Sequence, residues 1–376
     1  MPKNRVIYQS QAVYAGPDKT AEGDDGWRQE TGSHVPTNLK RIQSANYSFD
    51  ISRTDVNQFG ELARIDAVVL ESPTVSFDTS WYLCNFFNEE SIGLYVNATD
   101  TDTADMKGLL DDILVNNADE RNYYVRVVAD GSDVVGYEST TSANNDTVGI
   151  GNGFLSNWSA EGSVGGFPTA SVSIEALNIA FSSGVTGYSP CVSATNGKKN
   201  DAANINKEFN LGTEIDSDGG SANSTKVLKP GNIRLTLPDS QGGADLTDVK
   251  VQSFNASVDM AREPLQKLGS RFAYAREITF PITASLSVDC IAGDLTDGNL
   301  ADMIDADPDQ TIIVYLDNDD TSNTYHCAIV LKQAKLDNQN LSQGIGDNQT
   351  VSLSWSAQVG SSAQNDRGLF LSGSKD

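Results

Sequence analysis

The sequence predicts a mainly β protein with two tandem β-sandwich or β-barrel domains, each carrying one short flanking helix. Three observations predict it: one stretch occurs twice, apolar and polar residues alternate within both copies, and a helix signal follows each copy. Alternation with a period of two places one set of side chains in a core and the other toward water or a partner.

The repeated stretch covers residues 42–83 and returns as residues 251–292, at a constant offset of 209. From Ile42 to Gly60, seven of 19 positions are identical in the two copies, whereas composition alone would give roughly one. The identical pairs include Asn46 with Asn255 and Gly60 with Gly269. We interpret the repeat as a domain duplication.

Each copy is expected to contain two long strands. In the second copy the alternation runs from Phe272 to Val288, and Arg276 is the one exception on the apolar face. The first copy keeps the same phase, which predicts that Tyr47, Phe49 and Ile51 lie on the apolar side, with Val75, Phe77 and Trp81. Pro73 and Pro281 mark places where a long strand must bend or lose a ladder donor.

The segments that join these strands are residues 53–62 and 262–271. Each has about ten residues, too many for a tight hairpin turn, so both are predicted to be protruding loops.

The other elements follow in chain order. A strand is expected at 6–14, a polar loop up to Lys40, a helix at 104–116 capped by Asp102 or Thr103, and strands at 123–129 and 170–180. The second half predicts a strand at 232–237, a helix at about 297–305, and strands at 311–317 and 350–359. Both helices contain Ala-Asp-Met. The predicted domains are residues 1–185 and 231–376, with a linker or insert at 186–230.

The charge of the chain is strongly negative, at −25 from 51 acidic and 26 basic residues. Such a protein does not hold nucleic acid by neutralising phosphates. High solubility alone is one explanation, and a surface that passes near a polyanion without sticking to it is the other. Neither a membrane-spanning helix nor a secretory signal is expected. The four cysteines show no metal-binding spacing and are expected to be buried thiols.

A search for catalytic and metal-binding motifs favours neither kind of site. His34 and His326 lack converging partners, and the acidic loops near Asp100, Asp216 and Asp317 do not fit the ligand spacing of a calcium loop. The prediction is therefore a protein that is not an enzyme and has no catalytic residue, no cofactor and no metal.

A duplicated β-domain with one short helix and a long polar loop between its first paired strands resembles the tail tube, or major tail, proteins of bacteriophages. The resemblance rests on residues 46–83, their echo at 255–289, and the two helices, roughly half of the chain. It implies a structural virion protein whose rings of six domains stack into a hollow tube for DNA ejection. With two domains per chain, it implies a homotrimeric ring with pseudo-sixfold symmetry.

The resemblance also implies the partners and the location of the chain. The partners are further copies of itself, other tail proteins at the tube ends, and genome DNA that passes through the lumen without specific binding. The location is the virion tail, after synthesis in the host cytoplasm, with no membrane contact. The joining loops become candidates for contact between rings, through Arg53, Asp55, Gly60, Glu61, Arg262, Glu263, Lys267, Gly269 and Arg271.

A different class remains open as an alternative: a β-rich carbohydrate-binding or adhesin module of a virion or cell surface. Such a module needs an exposed cluster of aromatic side chains above polar groups. Trp81 and Trp355 fall in the strand pattern and are expected in the core, which disfavours this alternative.

Overall fold

A computed structural model shows the protein to be mainly β. The residues it describes are 8–18, 36–97, 106–116, 120–128, 134, 145–183, 186–188, 190–192, 208–211, 228, 233–237, 240–241, 244–245, 250–268, 272–291, 309–316, 327–343, 348–361, 364 and 366–373.

The elements of the first half begin with a single 3-10 turn, Tyr8–Ser10. The strands are β1 (Gln11–Asp18), β2 (Thr37–Asn38), β3 (Ile42–Asp50), β4 (Thr54–Val56), β5 (Asp66–Val68), β6 (Thr74–Tyr82), β7 (Val96–Asn97), β8 (Glu120–Val127), β9 (Asp146–Ser163), β10 (Thr169–Ala176), β11 (Asn178–Ser183), β12 (Thr186–Tyr188) and β13 (Glu208–Asn210). The helices are α1 (Phe87–Ser91) and α2 (Asp111–Asn116).

All the secondary-structure elements described in the second half are strands. They are β14 (Ile233–Thr236), β15 (Ser240–Gln241), β16 (Ala244–Asp245), β17 (Lys250–Asp259), β18 (Arg262–Leu265), β19 (Ala275–Ile278), β20 (Thr283–Ile291), β21 (Gln310–Leu316), β22 (Cys327–Ser342), β23 (Thr350–Gln358) and β24 (Gly368–Gly373). The helix predicted at about 297–305 lies outside the described residues.

One large, almost entirely antiparallel sheet connects the two halves, in the order β14-β21-β22-β23-β20-β17-β9-β10-β6-β3. The first unit is built from β3, β6, β10 and β9, with β8, β1 and β11 attached to β9 directly or through β8. The second unit is built from β17, β20, β23 and β22. Strands β21 and β24 pair with β22, and β14 pairs with β21. Within the described residues the sheet stays open, since β3 and β14 do not pair.

The two units share strand order and register. Ile42 pairs with Trp81, and 209 residues later Val251 pairs with Cys290, with a bulge one residue on in both ladders. Thr169 pairs with Glu161 in the first unit, and Thr350 pairs with Ser342 in the second, an offset of 181 on both strands. The duplicated sequence therefore forms a duplicated sheet, bulges included.

The core lies between two layers of each unit. Phe77 of β6 and Tyr123 of β8 belong to strands that are not hydrogen-bonded to each other, yet their ring centroids are 5.8 Å apart. The 18-residue β9 runs through both layers, because one end pairs with β8 and β11 and the other with β10 and β17. Trp81, Trp158 and Trp355 are fully buried in this core, as predicted for Trp81 and Trp355.

The helix predicted at 104–116 is wrong over residues 106–110, because α2 begins only at Asp111. Residues 104 and 105 lie outside the described part of the chain. Just before α2, Lys107 is bonded to Asn97, whose amide nitrogen donates to the Lys107 carbonyl and whose amide oxygen accepts from the Lys107 backbone N–H, both at 2.8 Å. The N–H of Leu109 donates to the carbonyl of Leu369 on β24. These bonds to a neighbouring strand replace the bonds of a first helical turn.

Three predicted strands also differ from the structure. The single strand expected at 170–180 is divided into β10 and β11 at Leu177. The strand expected at 6–14 is β1, which begins at Gln11 and continues through Gly16-Pro17. The long strand expected from Phe272 is divided into β19 and β20 around Pro281, where a missing backbone N–H interrupts a ladder. No helix among the described residues is long and apolar enough to cross a membrane.

Candidate assembly interface

The two units meet at a seam where β17 pairs with one end of β9. The ladder joins Ser253 with Ser163 and ends at Asp259 with Asn157. One unit contributes its β17 edge and the other contributes its β9 edge, so different surfaces meet. This is a heterologous, head-to-tail contact between two equivalent structures.

The seam is tightly packed. Ala256 lies directly opposite Ala160, and both are completely buried. Val258 lies opposite Trp158, and both of these side chains are also completely buried. The ladder is extended beyond β17 by a hydrogen bond of 2.8 Å from the Met260 N–H to the Ser156 carbonyl.

Two other strands of the molecule are equivalent to the two strands of the seam. The first unit's counterpart of β17 is β3, which pairs only with β6 among the described strands. The second unit's counterpart of the seam end of β9 is residues 338–342 of β22, which pair with β23 and have no described strand on the other side. Among the described residues, β3 and this end of β22 therefore each have one unpaired edge. Their counterparts, β17 and β9, pair with each other at the internal seam.

The exposed edge of β3 carries apolar side chains that were predicted to be in the core, and that prediction is wrong. Tyr47 is 39 % exposed and Phe49 is 58 % exposed, whereas their counterparts Ala256 and Val258 are buried at the seam. The alternation was predicted correctly, but no second strand among the described residues lies beside this edge of β3. Natural edge strands are often protected by lysine, by proline or by a bulge, and β3 (IQSANYSFD) has a bulge beside Ile42 but neither lysine nor proline.

The exposed edge of β22 has matching properties. Leu341, the counterpart of the buried Ala160, is 40 % exposed. The side-chain amide of Gln339, the counterpart of Trp158, is buried without a hydrogen-bond partner among the described groups. Buried polar groups are normally satisfied, so this edge has the features of an incomplete interface.

Two arms project from the seam strands. We define the first arm as residues 53–71 and the second arm as residues 262–280, again 209 residues apart. The first contains the β4–β5 ladder and the second contains the β18–β19 ladder, with equivalent register: Asp55 pairs with Ala67, and Pro264 pairs with Arg276. The loops predicted at 53–62 and 262–271 thus contain the first strand of each short two-stranded arm, β4 or β18, and part of the arm beyond it.

The second arm lies against the first unit. The guanidinium Nε of Arg262 donates to the Leu155 carbonyl at 2.7 Å, and its guanidinium carbon lies 5.3 Å from the centre of the Phe154 ring. The buried guanidinium of Arg276 forms an ion pair with Glu175. Burial lowers the pKa of Arg276, while the Glu175 carboxylate opposes that shift. Ala273 is buried beside Leu177.

The first arm, in contrast, is exposed along nearly its whole length. Phe59 and Leu62 are fully exposed at its tip, and Arg64 forms an exposed ion pair with Asp55 at 2.8 Å. Gly60 has a φ of +93°, a backbone conformation that favours glycine. The two arms have equivalent ladders, and only the second has a docking surface within the chain.

The predicted contact residues fall on both arms. Arg53, Asp55, Gly60 and Glu61 are exposed on the first, and Glu263 and Lys267 are exposed on the second. Lys267 lies 5.7 Å from the centre of the Tyr274 ring. Arg262 is part of the contact with the first unit, and Gly269 and Arg271 lie outside the described residues. The structure adds Tyr47, Phe49 and Leu341, which sequence reasoning did not select.

The outward face of the large sheet is polar and crosses the seam without interruption. A row of seven serines follows seven neighbouring strands: Ser44, Ser80, Ser171, Ser159, Ser257, Ser285 and Ser356. Hydroxyl groups of neighbours in this row are as close as 2.6 Å. Five exposed acids lie on the same face: Asp50, Asp78, Glu161, Asp259 and Asp289.

The other candidate groups of the chain form no site among the described residues. The four cysteines are buried thiols, and burial raises the pKa of Cys290 to about 11. Within the described part of the chain no three potential metal ligands among His, Cys, Asp and Glu come together. His34, His326, Trp27 and the acidic loops at 100–105, 216–219 and 317–320 lie outside that part.

Comparison with known proteins adds no family to this description. Neither the protein-family models nor the curated proteins contain a match to the chain.

Proposed function

We propose that this chain is a structural subunit that assembles head to tail into closed rings, and that the rings stack into a hollow tube like that of a phage tail. The observation that carries the proposal is the internal seam. One chain already contains a complete contact between two equivalent units, and it exposes one unused half of that contact at each end.

The same contact, repeated between chains, has a defined register. Ala256 opposite Ala160 becomes Tyr47 of one chain opposite Leu341 of the next, and Phe49 comes opposite Gln339. Main-chain hydrogen bonds supply affinity in this mode of strand addition, and the alternating side chains supply specificity. Pairing would cover the exposed parts of Tyr47, Phe49 and Leu341 together.

A head-to-tail contact produces a ring if its rotation closes and a helical filament if it does not. The resemblance of the sequence to tail tube proteins favours rings of six units. Since each chain supplies two units, three chains complete one ring with threefold and approximate sixfold symmetry. In this arrangement three seams are internal and three lie between chains.

The serine-rich face supports the second part of the proposal, a lumen through which DNA passes. Hydroxyl groups and acids give this face no cationic surface along most of its length, and acids repel a phosphate backbone. Genome DNA would therefore slide without specific binding. Tight binding of duplex DNA to assembled tubes at low salt, at micromolar affinity, would contradict a lumen of this kind.

The virion setting of the proposal rests on the resemblance alone. It places the assembled tube in the phage tail, other tail proteins at the tube ends, and synthesis of the chain in the host cytoplasm.

The test is a disulfide at the predicted seam between chains. Tyr47→Cys combined with Leu341→Cys places two thiols directly opposite each other, a geometry that a disulfide can bridge. Under oxidation we expect a ladder that ends at three chains, with rings visible by negative-stain electron microscopy. Ala160→Cys with Ala256→Cys is the positive control, because it bridges the internal seam and leaves the mass of one chain unchanged.

A register control accompanies this test. Tyr47→Cys with Asn340→Cys moves one thiol by one residue, to the other face of the strand, and should not cross-link. A protein that remains monomeric at high concentration and forms no Tyr47–Leu341 bridge would overturn the proposal. A closed ring of six whole chains would keep the edge contact and correct the subunit count.

A further inference from the structure

The second arm has a docking surface on the first unit, so its counterpart, the first arm, lacks only the equivalent surface of a second unit. We propose that the first arm clasps the second unit of the next chain in the ring, in the groove beside the unused edge of β22. This inference rests on the proposed head-to-tail ring and assigns a lateral function to the arm.

The groove is the counterpart of the surface that the second arm occupies. Phe154, Ser156, Glu175 and Leu177 of the first unit correspond, 181 residues later, to Lys335, Asp337, Ser356 and Gln358. An open groove is lined by these four residues, Gln333 and Arg367, among others. The surface that the second arm occupies within the chain therefore corresponds, among the described residues, to an open polar groove on the second unit.

The charges of the two arm contacts are opposite. The second arm carries four basic and two acidic residues, a net charge of +2, and it docks on a surface that contributes Glu175. The first arm carries two basic and four acidic residues, a net charge of −2. The groove that corresponds to the Glu175 surface contains Lys335 and Arg367, which are ion-paired with Asp309 and Asp366, and it also contains Asp337. The acidic first arm would therefore compete with these acids for Lys335 and Arg367.

The register of the arms identifies the contacting residues. Arg276, which contacts Glu175, corresponds to Ala67 of the first arm. Pro264, which pairs with Arg276, corresponds to Asp55. Directly paired residues of an antiparallel ladder point to the same face, so Asp55 and Ala67 face the groove. Asp55 then comes near Lys335, whose ammonium forms a partly exposed ion pair with Asp309 at 3.0 Å.

The base of the first arm gives a second contact. Arg262 donates to the carbonyl of Leu155, and the corresponding pair is Arg53 with the carbonyl of Leu336 in the next chain. The position of Phe154, beneath Arg262, is taken by Lys335, but the position of Ser156 is taken by the exposed Asp337. Where Arg262 lies over an aromatic ring, Arg53 therefore meets Lys335, and the neighbouring acid Asp337 is its available ionic partner.

The first experiment cross-links the arm to the groove in isolated rings, at a protein concentration too low for stacking. Ala67→Cys with Ser356→Cys is treated with a short bismaleimide, and the expected product is a ladder ending at three chains. The positive control is Glu175→Cys with Arg276→Cys, which should react within one chain. The native cysteines are buried, and a wild-type sample measures their contribution.

The outcomes separate this inference from the proposed ring. If the Tyr47–Leu341 disulfide forms and the Ala67–Ser356 cross-link does not, the clasp is overturned and the ring stands. A cross-link that appears in stacked tubes and never in isolated rings would also overturn the clasp, and would show the arm to contact the next ring. If neither bridge forms, the ring and the clasp both fall.

The second experiment reverses charges. Asp55→Lys should raise the midpoint concentration of monomer-to-ring assembly roughly tenfold, and Lys335→Glu in the same chain should restore part of the loss. Asp66→Lys is the matched control, because the same charge change on the opposite face of the arm should have much less effect. Equal losses for Asp55→Lys and Asp66→Lys would overturn the assigned contact.

Discussion

Strands β3 and β17 have related sequences, the same ladder with the strand that follows each arm, and a bulge at the same place. They differ in their other edge, since β17 is covered by β9 and β3 is uncovered. The consequence is visible at equivalent positions, where Val258 is completely buried and Phe49 is 58 % exposed. Whether the residue at this position is buried therefore depends on the strand that lies beside it. The sequence of its own strand does not determine it.

The strongest test of this comparison places a charge at both positions. Val258→Asp buries a carboxylate in the seam without a partner, and we expect it to lower the free energy of unfolding by about 4 kcal/mol or more, or to prevent folding. Phe49→Asp, in the monomer, should change that free energy by less than about 0.5 kcal/mol. Urea unfolding of both variants at concentrations below assembly measures the difference.

The same pair of variants separates folding from assembly. Phe49→Asp should leave a folded monomer that no longer forms rings, because a carboxylate would be buried between chains. A Phe49→Asp protein that still assembles at wild-type concentration would show that β3 is not the edge in use.

A second comparison concerns two buried tryptophans. The indole N–H of Trp81 donates to the Glu89 carboxyl at 3.0 Å, and that of Trp355 donates to the Gln310 amide oxygen at 2.7 Å. Complete burial raises the pKa of Glu89 to about 8. Because the folded state then holds a proton that the unfolded state has lost, this group stabilises the fold at acidic pH.

The expected pH dependence follows from the direction of that shift. The contribution of Glu89 is fully present below the ordinary pKa of about 4.5 and is lost as the pH rises through about 8, by up to about 1.4 kcal/mol per pH unit. Glu89→Gln should remove this part of the slope, since glutamine accepts the same hydrogen bond without titrating. Denaturant unfolding from pH 5 to pH 9 measures it, and identical slopes in both proteins would contradict the assignment.

The third comparison sets the two arm ion pairs side by side. Arg276 is buried in its contact with Glu175, whereas Arg64 and Asp55 are both more than half exposed. Arg276→Met should lower the free energy of unfolding by about 2 kcal/mol, because a partly buried carboxylate loses its partner. Arg64→Met should cost less than about 0.5 kcal/mol. Equal effects in thermal or urea unfolding would show that the second arm is not held at its surface by this pair.

The sequence predicted the mainly β fold and the equivalence of β3 and β17, because alternation and repetition are local properties of the chain. It misplaced Tyr47 and Phe49, since alternation identifies the apolar face of a strand without saying whether another strand covers it. It also extended α2 over residues 106–110, because the bond between Asn97 and Lys107 depends on tertiary structure. The arms were recognised as long loops, but their docking surface lies far away in the sequence and gave no local signal.

The smallest expected effect concerns Asn152 and Gln333, which occupy equivalent positions in β9 and β22 and have φ values of +55° and +50°. Such a backbone costs about 1 kcal/mol for a residue other than glycine, so the duplication has kept a strained bulge twice. The two side chains differ in their hydrogen bonds. Asn152 accepts from the Val192 N–H at 2.7 Å and donates to Glu120 at 2.6 Å, both in the interior.

Gln333 makes one exposed hydrogen bond, to Asp366 at 2.9 Å. Gln333→Gly should therefore be nearly neutral, within about 0.5 kcal/mol, because relief of backbone strain offsets the greater entropy of glycine in the unfolded chain. Asn152→Gly should lower the free energy of unfolding by about 1–3 kcal/mol, because it leaves buried groups unsatisfied. If urea unfolding gives the same change for both variants, backbone conformation alone determines the cost of this bulge, and the buried hydrogen bonds of Asn152 contribute nothing measurable.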